Sequence, residues 1–257
     1  MSASTVGGLH GMVALVTGGG AGIGRGVSTA LAARGAEVAV VGRRTQPLDD
    51  VCAEIEAAGR RALAITGDVG VADDVDRCIG QTVEHFGRLD VLVNNAQGYR
   101  HASLLDATDD DMDLVWRTGP LAVFRSMKAA YPHLRETKGL VVNFGSGTQF
   151  DPCETFHSSY NAAKGAIANL TRSAAVEWGP DGVRAILVVP AAQSDQLTAF
   201  RERDPERYAD MMRRVPLGRF GDAEEDIGRP IAWLATEEAR FLTGTILMLD
   251  GGQMQLR

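Results

Sequence analysis

The chain has 257 residues, of which 45% are hydrophobic and 23% charged, a balance typical of a globular protein with a sizeable core. Its formal net charge of −7 and pI near 5.3 argue against nucleic acid as a partner, because nucleic-acid binding favours a basic surface. No run of about 20 apolar residues is present, so no membrane span is predicted.

Neither the start of the chain nor its cysteines indicate export. Residues 1–10 lack the charged start and apolar middle of a signal peptide and are expected to form a loose leader. Cys52, Cys78 and Cys153 lie far apart without a C-x-x-C pair, which fits a reducing cytosol and small buried thiols. The histidines show no metal-ligand spacing; His157, just before Tyr160, is interpreted as a polar loop residue, with the lining of a pocket as the alternative. We therefore expect a cytoplasmic protein with no metal site.

Apolar runs alternate with segments of helical period along the whole chain. Strands are predicted at 11–17, 36–42, 62–66, 89–95, 139–145, 183–190 and 245–252. Helices are predicted at 25–35, 46–58, 72–86, 109–136 with a break near Gly119–Pro120, 158–178 and 223–235. This alternation predicts an α/β fold, a parallel sheet with helices on both faces, in a single domain over 1–257.

A glycine-rich turn follows the first predicted strand, in the sequence TGGGAGIG at 17–24. A strand, a glycine turn and a helix N-terminus together bind anions, because backbone N–H groups and the helix dipole favour negative charge. Glycine also lets the backbone approach a pyrophosphate closely. The G-x-G-x-x-G fingerprint is absent, since its third glycine would fall on Ile23.

Tyr160 and Lys164 stand four residues apart in the run SSYNAAKGAIANL, so on a helix they project from one face. A fixed cation beside a phenol favours the phenolate and lowers the tyrosine pKa from about 10. The hydroxyl can then exchange a proton with a carbonyl or an alcohol near neutral pH. Taken alone, the pair also fits an ordinary amphipathic surface helix.

Together, these segments resemble the short-chain dehydrogenase/reductase family over nearly the whole length of the chain. The resemblance is carried by 17–24, Asp68-Val69, Asn94-Asn95-Ala96, Ser146, Tyr160 with Lys164, and FLTGTILMLDGG at 241–252. It implies a Rossmann-type, doubly wound parallel sheet of seven strands, a nicotinamide dinucleotide cofactor and hydride transfer to or from a small-molecule carbonyl or secondary alcohol. It further implies a homo-tetramer or dimer, associated through the helices at 109–136 and 158–178.

The resemblance also implies which residues hold the cofactor. The pyrophosphate would be lined by Gly18, Gly22, Ile23 and Gly24, the adenine held by Asp68 and Val69, and the adenosine ribose bordered by Asn94 and Ala96. The set also includes Tyr160, Lys164 and Pro190, the last of which ends the sixth strand.

Three residues would carry the chemistry in such a protein: Ser146 would orient the substrate oxygen, Tyr160 would act as general acid/base, and Lys164 would hold the nicotinamide ribose and lower the tyrosine pKa. Ser146 lies 14 residues before Tyr160, one more than the commonest family spacing. It is preferred over Ser158 and Ser159 because it directly follows a strand, whereas those two suit a helix cap.

The end of the second strand bears on the choice of cofactor. Gly42 stands where an NAD site would place an acidic residue for the ribose 2′-OH, and Arg43 and Arg44 follow it. A guanidinium matches phosphate geometry with parallel hydrogen bonds. We expect NADP(H), with Arg43 binding the 2′-phosphate; NAD(H) is the alternative if these arginines are only solvated loop residues.

Four residues depart from the family pattern: Gln97 and Ala191 replace glycines, Gly119 replaces an Asn of a proton relay, and Asp195 replaces a Thr that meets the nicotinamide amide. These changes keep two alternatives open. One is a dinucleotide-binding protein with little or no turnover, used as a sensor or assembly partner; the other is an isomerase or dehydratase using the same pocket. The segment 193–218 is expected to cover the substrate, or to be an ordinary amphipathic helix pair.

Overall fold

The computed structural model describes residues 8–151 and 157–254, so most of the predicted leader and Cys153 lie outside the described residues. The strands are β1 Val13–Thr17, β2 Glu37–Gly42, β3 Ala62–Thr66, β4 Val91–Asn94, β5 Leu140–Phe144, β6 Arg184–Pro190 and β7 Ile246–Leu249. They form one parallel sheet in the order β3-β2-β1-β4-β5-β6-β7. The predicted seven-stranded parallel fold is confirmed. The last strand is shorter than predicted because Gly251 and Gly252, with φ of 63° and 85°, turn the chain.

Helices connect the strands. They are α1 Gly22–Ala33, α2 Thr45–Ala57, α3 Ala72–Phe86, α4 Asp109–Thr118, α5 Pro120–Thr137, α6 Ser158–Trp178, α7 Asp195–Arg203, α8 Pro205–Arg213 and α9 Arg229–Leu234. The predicted break is confirmed: α4 ends before Gly119, and Pro120 opens α5 at a position where its missing N–H is not needed. None of the helices in the described residues is long and apolar enough to cross a membrane.

The sheet is buried on both faces. Along β1, Ala14 and Val16 belong to one apolar cluster, with α1, α2 and α9, whereas Val13 and Leu15 belong to a second, with α3, α5 and α6. Alternate residues of a strand point to opposite faces, so each helix layer has its own core. β1 lies between β2 and β4, which makes the carboxyl ends of β1 and β4 the switch point where α/β folds bind ligands.

The first helix packs against the chain's last third by backbone contact. A π-helical turn at Ala223–Gly228 leads into α9. A Cβ on Gly26 of α1 would lie 2.4 Å from the carbonyl carbon of Ala223, and one on Gly228 would lie 2.4 Å from the oxygen of Gly26. The hydroxyl of Thr29 adds a 2.9 Å hydrogen bond to Glu224. Glycine at these two positions therefore fixes α1 against the turn.

The start of the described chain departs from the sequence-based prediction, whereas the segment 193–218 agrees with it. Leu9 is only 1% exposed, and its N–H donates to the Arg34 oxygen at 2.8 Å, so the expected loose leader does not extend to this residue. At 193–218 the expected amphipathic helices are present as α7 and α8. Their apolar side chains are half-buried between exposed neighbours; these are Leu197, Phe200, Tyr208, Met211 and Met212.

Candidate active site

A cleft of about 500 Å³ opens at the carboxyl ends of β1 and β4. Six of the residues predicted to bind the cofactor line it, namely Gly18, Gly22, Arg43, Asp68, Val69 and Ala96. Arg44, Asn95, Gln97, Thr118 and Ser194 line it as well. Motifs that are scattered along the sequence thus meet in one cleft.

The glycine turn forms the floor of this cleft. Gly18 and Gly22 adopt φ of 66° and 51°, in the left-handed region that favours glycine. A Cβ on Gly18 would lie 2.7 Å from Nδ2 of Asn95, whereas one on Gly22 would meet nothing within 4 Å. α1 begins at Gly22 without a side-chain cap, so its first backbone N–H groups are available to an anion. The turn therefore fits a bound pyrophosphate.

Asn95 holds the glycine turn to the end of β4. Its Nδ2 donates to the Thr17 oxygen at 2.9 Å, and its backbone N–H donates to Oγ1 of Thr17 at 3.0 Å. Sequence reasoning assigned the site to Asn94 and Ala96 and gave Asn95 no role. The doubled asparagine directly after a buried strand was the signal, because one of two successive side chains must leave the core.

The side chain of Asn94 is the one that stays in the core. It is 6% exposed and donates to Oδ1 of Asn143 at 2.8 Å, while Asn143 donates to Thr171 at 2.9 Å. Any contact of Asn94 with a cofactor must therefore come from its main chain. Five other residues predicted to bind the cofactor lie outside the cleft lining, namely Ile23, Gly24, Tyr160, Lys164 and Pro190.

Ser146, Tyr160 and Lys164 are brought together beside the cleft. Tyr160 and Lys164 lie one turn apart near the start of α6, and Nζ of Lys164 is 5.3 Å from the centroid of the Tyr160 ring. Ser146 follows β5; its hydroxyl forms a 2.9 Å hydrogen bond with Oγ1 of Thr148 and lies close enough to Tyr160 to lower the pKa of its hydroxyl. Nζ of Lys164 donates to the Phe144 oxygen at 2.8 Å, which anchors it to the end of β5. The choice of Ser146 agrees with this geometry.

Burial governs the ionisation of the pair. It raises the pKa of Tyr160 above its ordinary value; Tyr99 raises it further, and the nearby Ser146 hydroxyl lowers it. Burial also lowers the pKa of Lys164 to about 7. The sequence predicted the opposite direction for Tyr160, because it placed a full ammonium charge beside the phenol. In the folded protein the removal of both groups from water outweighs that attraction.

An aromatic wall stands next to Tyr160, formed by Tyr99, His101 and His157. The Tyr99 and Tyr160 ring centroids are 4.5 Å apart, and those of His157 and Tyr160 are 6.1 Å apart. His101 lies 4.9 Å from Tyr99 and 4.8 Å from His157. Sequence reasoning treated His157 as a loop residue and missed the other two. The signal was two ring residues, at alternate positions, just after the fourth strand.

The four departures from the family pattern occupy different places. Gln97 lines the cleft, and Gly119 lies beside it between α4 and α5. Ala191 lines a separate cavity of about 500 Å³ at the end of β7. Asp195 begins α7, and its side chain is outside the part of the chain that the structure describes.

Comparisons with known proteins agree with this geometry. The family model described as enoyl-(acyl carrier protein) reductase matches residues 18–254. A 12α-hydroxysteroid dehydrogenase from Clostridium sp. is 40% identical over 253 residues, covering 95% of this chain and 97% of that protein. The chain belongs to the short-chain dehydrogenase/reductase family. It is accordingly an NAD(P)-dependent oxidoreductase acting on CH–OH and C=O groups, and the resemblance seen in its motifs is confirmed.

Solved structures of short-chain dehydrogenases place the same fold around a dinucleotide. One from Burkholderia cenocepacia, in complex with NADP, superposes with a TM-score of 0.88 at 35% identity, over 95% of this chain and 98% of that one. A blue fluorescent protein from a metagenomic library, in complex with NADPH, superposes with a TM-score of 0.87 at 32% identity, again over 95% and 98%.

Proposed function

We propose that this short-chain dehydrogenase/reductase moves a hydride between NADP(H) and a carbonyl or secondary alcohol, with Tyr160 as general acid/base. One observation carries the proposal: Ser146 and Lys164 both lie beside the Tyr160 side chain, the first close enough to lower the pKa of its hydroxyl and the second with Nζ 5.3 Å from the ring centroid. A protein that only bound a dinucleotide would have no chemical need for all three groups at one point.

The cleft supports the cofactor assignment. Gly18 and Gly22 would line the pyrophosphate: the N–H of Gly18 already donates to the Val41 oxygen at 2.7 Å, so the N–H groups at the uncapped start of α1 would bind the phosphates. Asp68 and Val69 would hold the adenine, and Arg43 would bind the 2′-phosphate from the rim of the cleft. When bound, the nicotinamide ring supplies or accepts the hydride. The relatives that hold NADP and NADPH favour the phosphorylated cofactor.

The side chains would act on the substrate oxygen. During reduction, Ser146 and Tyr160 would donate hydrogen bonds to that oxygen, and Tyr160 would give up its proton as negative charge develops there. Because burial lowers the pKa of Lys164 to about 7, its ammonium form is only marginally favoured at neutral pH. A neighbouring phenolate shifts that balance toward the ammonium, so Lys164 stabilises the tyrosine after its proton has left.

Exposed apolar side chains on the helices support self-association, in which the partner would be a second copy of this chain. Trp116, Leu121 and Phe124 line a groove of about 370 Å³ between α4, α5 and α6. Trp116 and Phe124 are 44% and 46% exposed, so a second copy would bury large apolar side chains there. In contrast, Val115 is fully buried and belongs to the core.

Two further expectations remain part of the proposal. The helix pair α7 and α8 would cover the substrate, because Ser194, which precedes α7, lines the cleft and the apolar side chains of the pair are only half-buried. The protein would act in the cytoplasm, since Cys52 and Cys78 are free, buried thiols, as a reducing compartment favours. It would act as one domain, since its strands form a single sheet.

Replacing the Tyr160 hydroxyl tests the assignment. We expect Tyr160→Phe to lower NADPH consumption with a panel of carbonyl compounds by at least about 100-fold, the usual contribution of a positioned acid. NADPH affinity, measured by fluorescence titration, should stay within about twofold, since the hydroxyl faces the substrate. Tyr131→Phe is the matched control, because its hydroxyl bonds Asp181 on the far side of α5. Full turnover in Tyr160→Phe would refute the role, and NADPH binding without turnover in the unmodified protein would favour a sensor.

A further inference from the structure

The aromatic wall of Tyr99, His101 and His157 contacts the ring of Tyr160, and none of its residues donates or accepts a proton in the chemistry described above. We propose that this wall binds an aromatic ring of the substrate, so that the enzyme acts on aryl ketones or on the corresponding aryl alcohols. This inference rests on the proposed function, since it places the reacting carbon beside Tyr160.

Two residues of the wall, Tyr99 and His101, lie in one short extended segment that is anchored at every second residue. The anchors are, in chain order, Gly98 N–H to Oγ1 of Thr118 at 3.0 Å, Arg100 to Asp111 at 3.2 Å, and the parallel bridge of Ala102 with His157. Successive residues of an extended segment project to opposite sides. The residues between the anchors, Tyr99 and His101, are therefore directed toward Tyr160, and their ring contacts show this direction.

The contact geometry of the wall suits another ring. Tyr99 meets His101 edge to face at an interplanar angle of 67°, and His101 meets His157 at 82°. Edge-to-face and offset arrangements are those that aromatic quadrupoles favour, so a flat π-system can extend the set. Tyr99 and His157 are half-buried and His101 is exposed, so part of their ring surface is accessible.

Aliphatic side chains of the same loop take no part in this wall. Leu104 and Leu105 lie a few residues further on and are 76% and 97% exposed. A pocket for an alkyl chain would instead be lined by such residues, since they bury apolar surface without orienting a ring. The side chains beside Tyr160 are aromatic rings and not leucines, and this favours an aryl substrate over an alkyl one.

Two bicyclic ketones with the same carbon skeleton provide the test: 1-tetralone, whose carbonyl adjoins an aromatic ring, and its saturated counterpart 1-decalone. The quantity measured is the ratio of their kcat/KM values with NADPH, in the unmodified enzyme and in variants. Comparison between variants removes the intrinsic difference in ketone reactivity. We expect Tyr99→Leu and His101→Leu each to lower the tetralone-to-decalone ratio by about three- to tenfold, the factor that an aromatic contact contributes.

Tyr131→Leu is the matched control, because Tyr131 lies on α5 against Trp178 and away from the cleft. It should leave the ratio unchanged. A ratio that also stays unchanged in Tyr99→Leu and His101→Leu would overturn the inference while leaving the proposed function intact.

Equilibrium binding separates the two proposals if turnover is absent. Binding of 1-naphthol and of its saturated analogue to the NADP⁺-loaded protein can be measured by calorimetry. Preference for 1-naphthol that is lost in Tyr99→Leu would support the aromatic wall even if the oxidoreductase proposal failed. Equal binding of both compounds would overturn the inference whatever the outcome of the turnover assay.

Discussion

A Cβ atom on Gly119 would lie 2.7 Å from Nε2 of Gln97, so the glycine leaves the space that the glutamine amide occupies. Both polar atoms of that amide are buried and have no hydrogen-bond partner within the described residues. Two of the four departures from the family pattern are therefore one coupled change. Gln97 brings a side chain to the cleft where the pattern has none, and Gly119 removes one where the pattern has an asparagine.

This coupling predicts a non-additive mutant cycle. We expect Gly119→Ala to lower the free energy of unfolding by about 1–3 kcal/mol, because its methyl group collides with Gln97. The same substitution in a Gln97→Gly background should cost at least about 0.5 kcal/mol less, and the contact of the methyl group with the Val115 oxygen cancels in the comparison. Urea unfolding of the four proteins measures the difference. Equal costs in the two backgrounds would show that the residues are independent.

Arg43 is predicted to set the choice between the two nicotinamide cofactors. Removing a guanidinium that bonds the 2′-phosphate should lower NADPH affinity by about tenfold or more while leaving NADH affinity unchanged. We therefore expect Arg43→Ala to reduce the ratio of NADPH to NADH affinity in parallel fluorescence titrations. Arg44→Ala is the adjacent control and should change this ratio less. A larger effect at Arg44 would move the phosphate site by one residue along the cleft rim.

Lys164 should make the stability of the cofactor-free protein depend on pH. Its folded pKa of about 7 lies below the ordinary 10.5, so the unfolded chain binds more protons between these values. The free energy of unfolding then rises with pH across this window, by up to about 1.4 kcal/mol per pH unit. This gain in stability is lost as the pH falls toward 7.

Lys164→Met removes the titrating group while keeping its bulk. We expect the gain in stability between about pH 7.5 and 8.5 to be smaller in this variant by about 1 kcal/mol. Urea unfolding at both pH values measures it, and the titration of other groups, such as Cys52, cancels between the two proteins. Parallel pH dependences in the two proteins would mean that burial does not depress the lysine pKa.

Gly24 is predicted to be intolerant of the smallest side chain. A Cβ there would lie 2.1 Å from the Gly18 oxygen and 2.6 Å from Nδ2 of Asn95. Gly24→Ala should therefore displace α1 from the glycine turn, with a loss of more than about 3 kcal/mol in unfolding free energy and weaker NADPH binding.

Gly80 offers the control, since it lies within α3 and a Cβ there meets nothing within 4 Å. Gly80→Ala should stabilise the protein by up to about 1 kcal/mol through helix propensity, seen as a rise of about 2–4 °C in Tm. A Gly24→Ala protein as stable as the unmodified one would contradict the close packing of the turn.

The parts of the fold that were predictable from sequence are those with a local signal. Apolar runs and helical periods predicted every strand and most helix ends, and Pro120 marked the break between α4 and α5 because its ring removes a backbone donor. The Tyr160–Lys164 pair was equally local, since its geometry depends only on four residues of one helix.

The parts that were missed depend on contacts between distant segments. The direction of the Tyr160 pKa follows from burial by the rest of the protein, which no spacing reveals. Asn94 and Asn95 divide between core and cleft according to the phase of β4, and a shift of one residue in that phase exchanges their roles. Leu9 is held by a backbone hydrogen bond to Arg34, which follows α1 in the chain.

The backbone contact of Gly26 with the turn at Ala223–Gly228 has a consequence for protein synthesis. The glycine turn and α1 are translated before the surface that holds α1 in place, which follows almost 200 residues later. A nascent or prematurely terminated chain that lacks this turn therefore exposes the inner face of α1. We expect such a chain to be bound by chaperones or degraded by proteases rather than to act as a shortened enzyme, because α1 and the glycine turn lack the packing that the turn at Ala223–Gly228 provides.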